Sequence, residues 1–263
     1  MRPVAYALIS ALLFGSSTPL SKVLIGLFDP WTLAGLLYLG AALGLAPFML
    51  RQWLTGCQTR RRKVVAPPAG APDSATALAA ASTSALQAAR APAAVSRANR
   101  LRLAGAILFG GILGPVLMLI GLLSAPAASV SIWQNLETVA TAILGVLFFR
   151  EALGRLGWLA NAGVFVAGAL LSLQGGLPAV TAGLWVAAAA VCWGLDNNLT
   201  ALIDGIDPVE STFWKGLVAG ATNLGIGLLL STALPAARYV IFALLVGAFA
   251  YGVSIVLYIM SAQ

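Results

Sequence analysis

The chain has 263 residues, of which 60% are hydrophobic and 9% charged, and its mean hydropathy is +0.95. Soluble domains are about a quarter charged, so this composition excludes a soluble globular domain and predicts an all-α polytopic membrane protein. The formal charge of +7 would suggest a nucleic-acid partner in a soluble protein. Here it follows from where the bases fall around the spans, and membrane lipids, not nucleic acid, are the expected partners.

A helix needs about 20 apolar residues to cross the hydrocarbon. Eight such runs follow one another, at residues 4–27, 31–50, 103–123, 127–149, 156–173, 182–203, 213–232 and 239–260. The first follows Arg2, but it is long for a signal peptide and no small-x-small cleavage site precedes the next run. If the spans alternate, Arg2, Arg51, Arg60, Arg61, Arg62, Lys63, Arg90, Arg97, Arg100, Arg102, Arg150 and Arg155 share one side, against Arg238 on the other. The positive-inside rule then predicts a cytoplasmic N-terminus in a multi-pass protein of the cell inner membrane. Between the second and third spans, residues 51–102 are rich in Ala, Pro, Ser, Thr and Arg. They read as a disordered cytoplasmic linker whose basic ends touch anionic headgroups.

The chain repeats itself. Phe14-Gly15 followed by Asp29-Pro30 is echoed by Trp193-Gly194 followed by Asp207-Pro208, with one residue of difference in spacing. Five spans separate the starts of the two copies, and an odd number inverts the second half relative to the first. Inverted repeats are the architecture of alternating-access transporters. The first repeat comprises residues 1–50 and 103–175 around the linker, and the second begins in 182–263. Pro19, Pro47 and Pro115 interrupt spans and are expected to bend them.

Four ionisable residues fall inside apolar runs: Lys22, Glu137, Asp196 and Lys215. Each costs about 2.5–3.5 kcal/mol at a helix centre on insertion scales and so demands a reason. Glu137 sits near mid-span in a stripe with Ser131, Gln134 and Thr141, on one helix face that must meet protein or a water-filled cavity. Asp196, Asn197 and Asn198 are consecutive and fan over too wide an arc for one neighbour to hide. They either line a cavity or satisfy a locally broken helix. Lys215 shares a face with Ser211 and Thr222, and is either a snorkelling residue or the partner of Asp196 or Glu137. Lys22, near the outer end of its span, reads as a snorkelling residue. In the eighth span Gly247, Tyr251, Ser254, Tyr258 and Ser261 recur at helical spacing, and Tyr251, far from either interface, reads as a cavity wall.

Cys57 falls in the linker and Cys192 in the sixth span, and neither has companions at metal-ligand spacing. There is no histidine, which removes His-based intramembrane hydrolases and most zinc chemistry. No cofactor, metal or catalytic activity is expected.

The segment Asn135-Leu136-Glu137-Thr138-Val139, then Thr141-Ala142, closing on Phe149-Arg150-Glu151, resembles the end of the first repeat in EamA-type members of the drug/metabolite transporter superfamily. The echoed Gly15 with Asp29-Pro30 and Gly194 with Asp207-Pro208 resemble the starts of the two repeats. The resemblance implies two inverted five-helix halves around a central cavity, exporting small metabolites or drugs, commonly with ion or proton coupling. Thr138 stands where the family often has proline, and the linker is longer than usual. Two further spans would be expected after Gln263, so the second half reads as incomplete. Either the sequence is a truncated, non-transporting fragment, or an eight-span chain completes its cavity as a homo-oligomer. An intramembrane lipid-headgroup enzyme is a weaker alternative, since no dense acidic or histidine cluster lies on a surface loop. The expected pathway for substrate or proton comprises Gln134, Asn135, Glu137, Asp196, Asn197, Asn198, Lys215 and Tyr251.

Overall fold

The computed structural model describes residues 2–62, 97–149, 152–174, 176–203, 207–230 and 234–261. Every regular element among them is helical. Eight helices are long and apolar enough to cross a membrane: Val4–Leu24, Pro30–Arg51, Arg97–Ser124, Ala127–Phe148, Arg155–Leu173, Gly176–Ala201, Val209–Leu230 and Ala237–Leu257. They correspond one to one with the predicted spans and are called the first to eighth spans below.

The boundaries differ where breaker or charged residues obscured a helix end. Helix Gly176–Ala201 begins before residue 182, because Pro178 lies in its first turn, where the missing N–H costs nothing. The linker is helical at both ends: the second span continues within helix Pro30–Arg62, and the third begins at Arg97. Basic residues can extend a helix past the apolar layer because water and headgroups solvate them. The middle of the linker, residues 63–96, lies outside the described residues, as do Arg150-Glu151, Asp204 and the side chains of Tyr258 and Ser261.

The echoed Asp-Pro pairs perform the same task twice. Asp29 Oδ1 accepts from the backbone N–H groups of Trp31 and Thr32 at 3.0 Å, and Asp207 Oδ1 accepts from Val209 at 2.8 Å. Each aspartate caps a helix that opens with proline, satisfying N–H groups that no earlier turn can reach.

Four spans are irregular within the membrane. The first breaks at Ser16, between helices Arg2–Gly15 and Ser17–Leu24, the second of which carries Pro19 in its first turn. The fourth breaks between helices Ala127–Trp133 and Leu136–Phe149. The third switches to π-helix over Ile107–Leu113, directly before Pro115, and the eighth does so over Gly247–Val253. Pro47 causes no interruption, and its helix runs on to Arg62.

The π-helical turns pack reciprocally: that of the third span lies against the sixth and seventh spans, and that of the eighth against the first and second. The second, seventh and eighth spans approach very closely. A Cβ on Gly40 would collide with Leu244 O, and one on Gly247 with Leu37 O. In lipid, where apolar side chains alone give helices little reason to associate, such backbone contact supplies the packing energy. Around it lies a dry core that includes Leu33, Leu37, Leu119, Leu122, Val130 and Trp133. The fifth span packs peripherally on the fourth and sixth, with Trp133 Nε1 donating to Gly168 O at 3.1 Å.

Candidate functional site

Between the first, second, fourth, sixth, seventh and eighth spans lies a cavity of about 800 Å³. Glu137, Gln134, Asn135, Asp196, Asn197, Lys215 and Tyr251 line it, as do Ser131 and Thr141 of the predicted stripe. At one end the lining reaches Leu153, Thr212 and Ile255, where the fifth and seventh spans start. At the other, Thr18 Oγ1 donates to Gln134 Oε1 at 2.8 Å and joins the segments beyond the breaks of the first and fourth spans.

At the break in the fourth span the Asn135 backbone N–H turns to Ile132 O at 3.1 Å, and its side-chain Nδ2 donates to Ile132 O at 3.0 Å and Ser131 O at 3.2 Å. The carboxylate of Glu137 follows on the next helix. Asn197 Nδ2 donates to Glu137 Oε1 at 2.8 Å and to Thr141 Oγ1 at 3.2 Å, so one amide bridges the fourth and sixth spans at the cavity wall. Glu137 also lies within electrostatic reach of Asp196 and Lys215.

Asp196 is 6% exposed and pairs with Lys215, whose Nζ stands 2.6 Å from both carboxylate oxygens. Thr200 Oγ1 donates to Asp196 Oδ1 at 3.0 Å. Lys215 is therefore a partner for Asp196 and not a snorkelling residue, because the third span lies between the sixth and seventh, and its Gly110 and Gly111 leave room for Asp196 and Lys215 to meet. Lys22, near the end of its span, also finds a partner. Its Nζ donates to Leu122 O at 2.6 Å, at the end of helix Gly114–Ser124, where carbonyls have no helical donor and the dipole favours a cation.

Asn198 is absent from the cavity lining. It is buried, and its Nδ2 donates to Gly194 O at 2.8 Å and Thr141 O at 3.1 Å. Three consecutive helical side chains point some 100° apart, so when Asp196 and Asn197 line the cavity the third meets the neighbouring helix. Helix Gly176–Ala201 is unbroken there, and none of the three is needed to repair it.

Aromatic residues complete the wall: Phe14, Tyr38, Trp193 and Tyr251. Phe14 packs edge-on to Tyr251 at 5.9 Å between ring centroids, and Tyr38 lies tilted at 6.2 Å from the same ring. Tyr38 OH and Trp193 Nε1 both donate to Gly110 O, at 2.7 and 3.2 Å. That carbonyl is available because Gly114 N–H turns to Phe109 O in the π register and Pro115 has no N–H to offer. The Gly111 carbonyl, orphaned by the same proline, accepts from the buried Asn223 Nδ2 at 3.0 Å. A Cβ on Gly110 would strike the Asp196 carboxylate. Tyr38 and the role of Trp193 escaped sequence reasoning; the echo of Phe14-Gly15 by Trp193-Gly194 was the available signal, since both aromatics reach the cavity.

Among the described residues, no group of three or more Cys, Asp or Glu side chains is placed to hold a metal. The fold and the cavity together define a polytopic helical membrane protein with a chamber of mixed polar and aromatic lining among its spans. The model of the EamA-like transporter family matches residues 74–173, from within the linker to the end of the fifth span. That stretch, less than half of the chain, is similar to the EamA-like transporter family, and eight apolar helices make the chain a multi-pass membrane protein. Residues 1–73 and 174–263 lie outside the matched stretch. No curated protein and no solved structure matches the chain significantly.

Proposed function

We propose that the chain exports small organic metabolites or drugs across the cell inner membrane by alternating access, with Glu137 coupling transport to protons. The observation that carries this reading is the cavity itself: about 800 Å³ at mid-span, with polar side chains set in a largely apolar wall, within the 300–1,000 Å³ typical of small-molecule sites. A carboxylate at such a depth is by default a pathway or proton-site candidate. Glu137 meets two further charges, Asp196 and Lys215, and those two neutralise each other.

In this reading the N-terminus is cytoplasmic and the two repeats are inverted, which the reciprocal packing of the π-helical turns supports. The end of the cavity near Leu153 then faces the cytoplasm, and the Thr18–Gln134 contact closes the outer end. Reporter fusions at Arg62 and at Pro178 should report opposite sides, with Arg62 inside.

The direct test is substrate movement in vesicles under an imposed pH gradient. Glu137→Gln keeps shape and hydrogen bonding but cannot cycle a proton. It should abolish gradient-driven transport while the protein remains folded in the membrane. An unchanged rate with unchanged pH dependence would leave Glu137 as a tie between helices.

A further inference from the structure

We propose that the cavity selects molecules that carry one positive charge on an apolar or aromatic body, with Glu137 as the counter-charge. This inference rests on the reading of the cavity as a small-molecule site and specifies its ligand.

Among the described residues the wall carries three charged side chains, and the geometry divides them unequally. Asp196 and Lys215 form a closed pair: both carboxylate oxygens lie 2.6 Å from Nζ, and one also accepts from Thr200. Neither charge of that pair is left over for a ligand. Glu137 has an amide for its partner, Asn197 at 2.8 Å, which steadies a carboxylate without neutralising it. Among the described residues the wall is therefore one negative charge in excess, in a setting where low dielectric strengthens the attraction for a cation.

The rings act in the same direction. The Tyr38 hydroxyl and the Trp193 indole N–H are both spent on Gly110 O. With their polar tips engaged, these residues and Phe14 and Tyr251 offer aromatic surface to the cavity. Aromatic faces attract cations through their quadrupoles, most strongly where water is excluded. An anion would meet Glu137 with Lys215 already committed to Asp196, and a neutral molecule would gain from the rings only by burial. Ser131, Gln134 and Thr138 on the same wall can hydrogen-bond polar substituents of any charge, so they set no preference.

The test compares three probes of similar shape by titration calorimetry on the purified full chain in lipid nanodiscs: phenethylamine, phenethyl alcohol and hydrocinnamate. The amine should bind about tenfold or more tightly than the alcohol, as expected for a desolvated charge pair, and the carboxylate should bind most weakly. Glu137→Gln should remove the advantage of the amine and leave the alcohol unchanged. Glu137→Asp should retain part of that advantage, and alcohol binding reports that each variant is folded. Equal or tighter binding of the alcohol or the carboxylate would overturn charge selection and leave the small-molecule reading standing. An amine preference that survives in Glu137→Gln would overturn the role of Glu137. Failure of all three probes to bind would overturn the proposal and count against the small-molecule reading beneath it.

Discussion

The seam between the second, seventh and eighth spans and the wall between the fourth and sixth hold helices together in opposite ways. At the seam, glycines bring backbones into contact: Gly40 meets Leu244, Gly247 meets Leu37, and Gly220 meets Leu39. No side-chain hydrogen bond is needed there. At the wall the contacts are polar, from Asn197 to Glu137 and Thr141 and from Asn198 to the Thr141 carbonyl. Close packing excludes water and fixes one geometry, whereas side-chain hydrogen bonds in membrane proteins are individually weak and can exchange for water or ligand. The seam is thus suited to be scaffold and the wall to be the working surface. Substitutions at the seam should cost stability, and those at the wall should cost function.

The largest exception should be the ion pair, which belongs to the wall but is buried like the seam. Lys215→Ala leaves Asp196 without its counter-charge and should destabilise the protein by about 3–5 kcal/mol, read by thermal unfolding in detergent. Adding Asp196→Asn should recover much of that loss, because residues sharing one interaction couple. Additive effects would mean that the pair contributes nothing as a pair.

Next in size is the seam itself. Gly247→Val inserts side-chain atoms where Leu37 O already lies, and overpacking of this kind costs about 1–3 kcal/mol. The unfolding midpoint should fall, while any folded fraction keeps the ligand selectivity of the parent. Altered selectivity at unchanged stability would break the division between scaffold and working surface.

Smaller effects are expected from single polar ties. Asn198→Ala removes a buried bridge between the fourth and sixth spans and should cost about 1 kcal/mol. Thr18→Val removes the hydrogen bond to Gln134 and should cost about 0.6 kcal/mol, the average for such contacts in membranes. Its clearer signature should be faster exchange between the two faces of the protein, measured as accelerated counterflow in vesicles. A stability loss as large as that of Gly247→Val would mark this contact as scaffold.

The spans were legible because lipid imposes one rule, a helix of about 20 apolar residues, and this chain follows it eight times. The Asp-Pro caps were legible as a repeat, and their common geometry supplies the physical reason. The stripe from Ser131 to Thr141 was legible as a face even though the helix breaks within it, since all four members still line the cavity. The pairing of Lys215 was open to sequence reasoning only as a choice, and the small Gly110-Gly111 face of the intervening third span decides it for Asp196. The two donors on Gly110 O were not legible. They depend on a π-helical register ahead of Pro115 and on Tyr38 arriving from a span with no polar stripe. Asn198 was read as a wall residue because its neighbours are, and the angular step of the helix turns it away.

The central claim is that the fourth-span wall borders water while the seam does not, and thiol labelling tests it most directly. In a background with Cys57 and Cys192 replaced by serine, Thr138→Cys and Leu37→Cys would each be exposed to a membrane-impermeant maleimide in inside-out vesicles. Thr138 lines the cavity, and Leu37 is buried at the seam, where its carbonyl meets Gly247. The account predicts rapid labelling at position 138, slowed by saturating phenethylamine, and no labelling at 37 until the protein is unfolded. An unreactive thiol at 138, or equal labelling at the two positions, would contradict it.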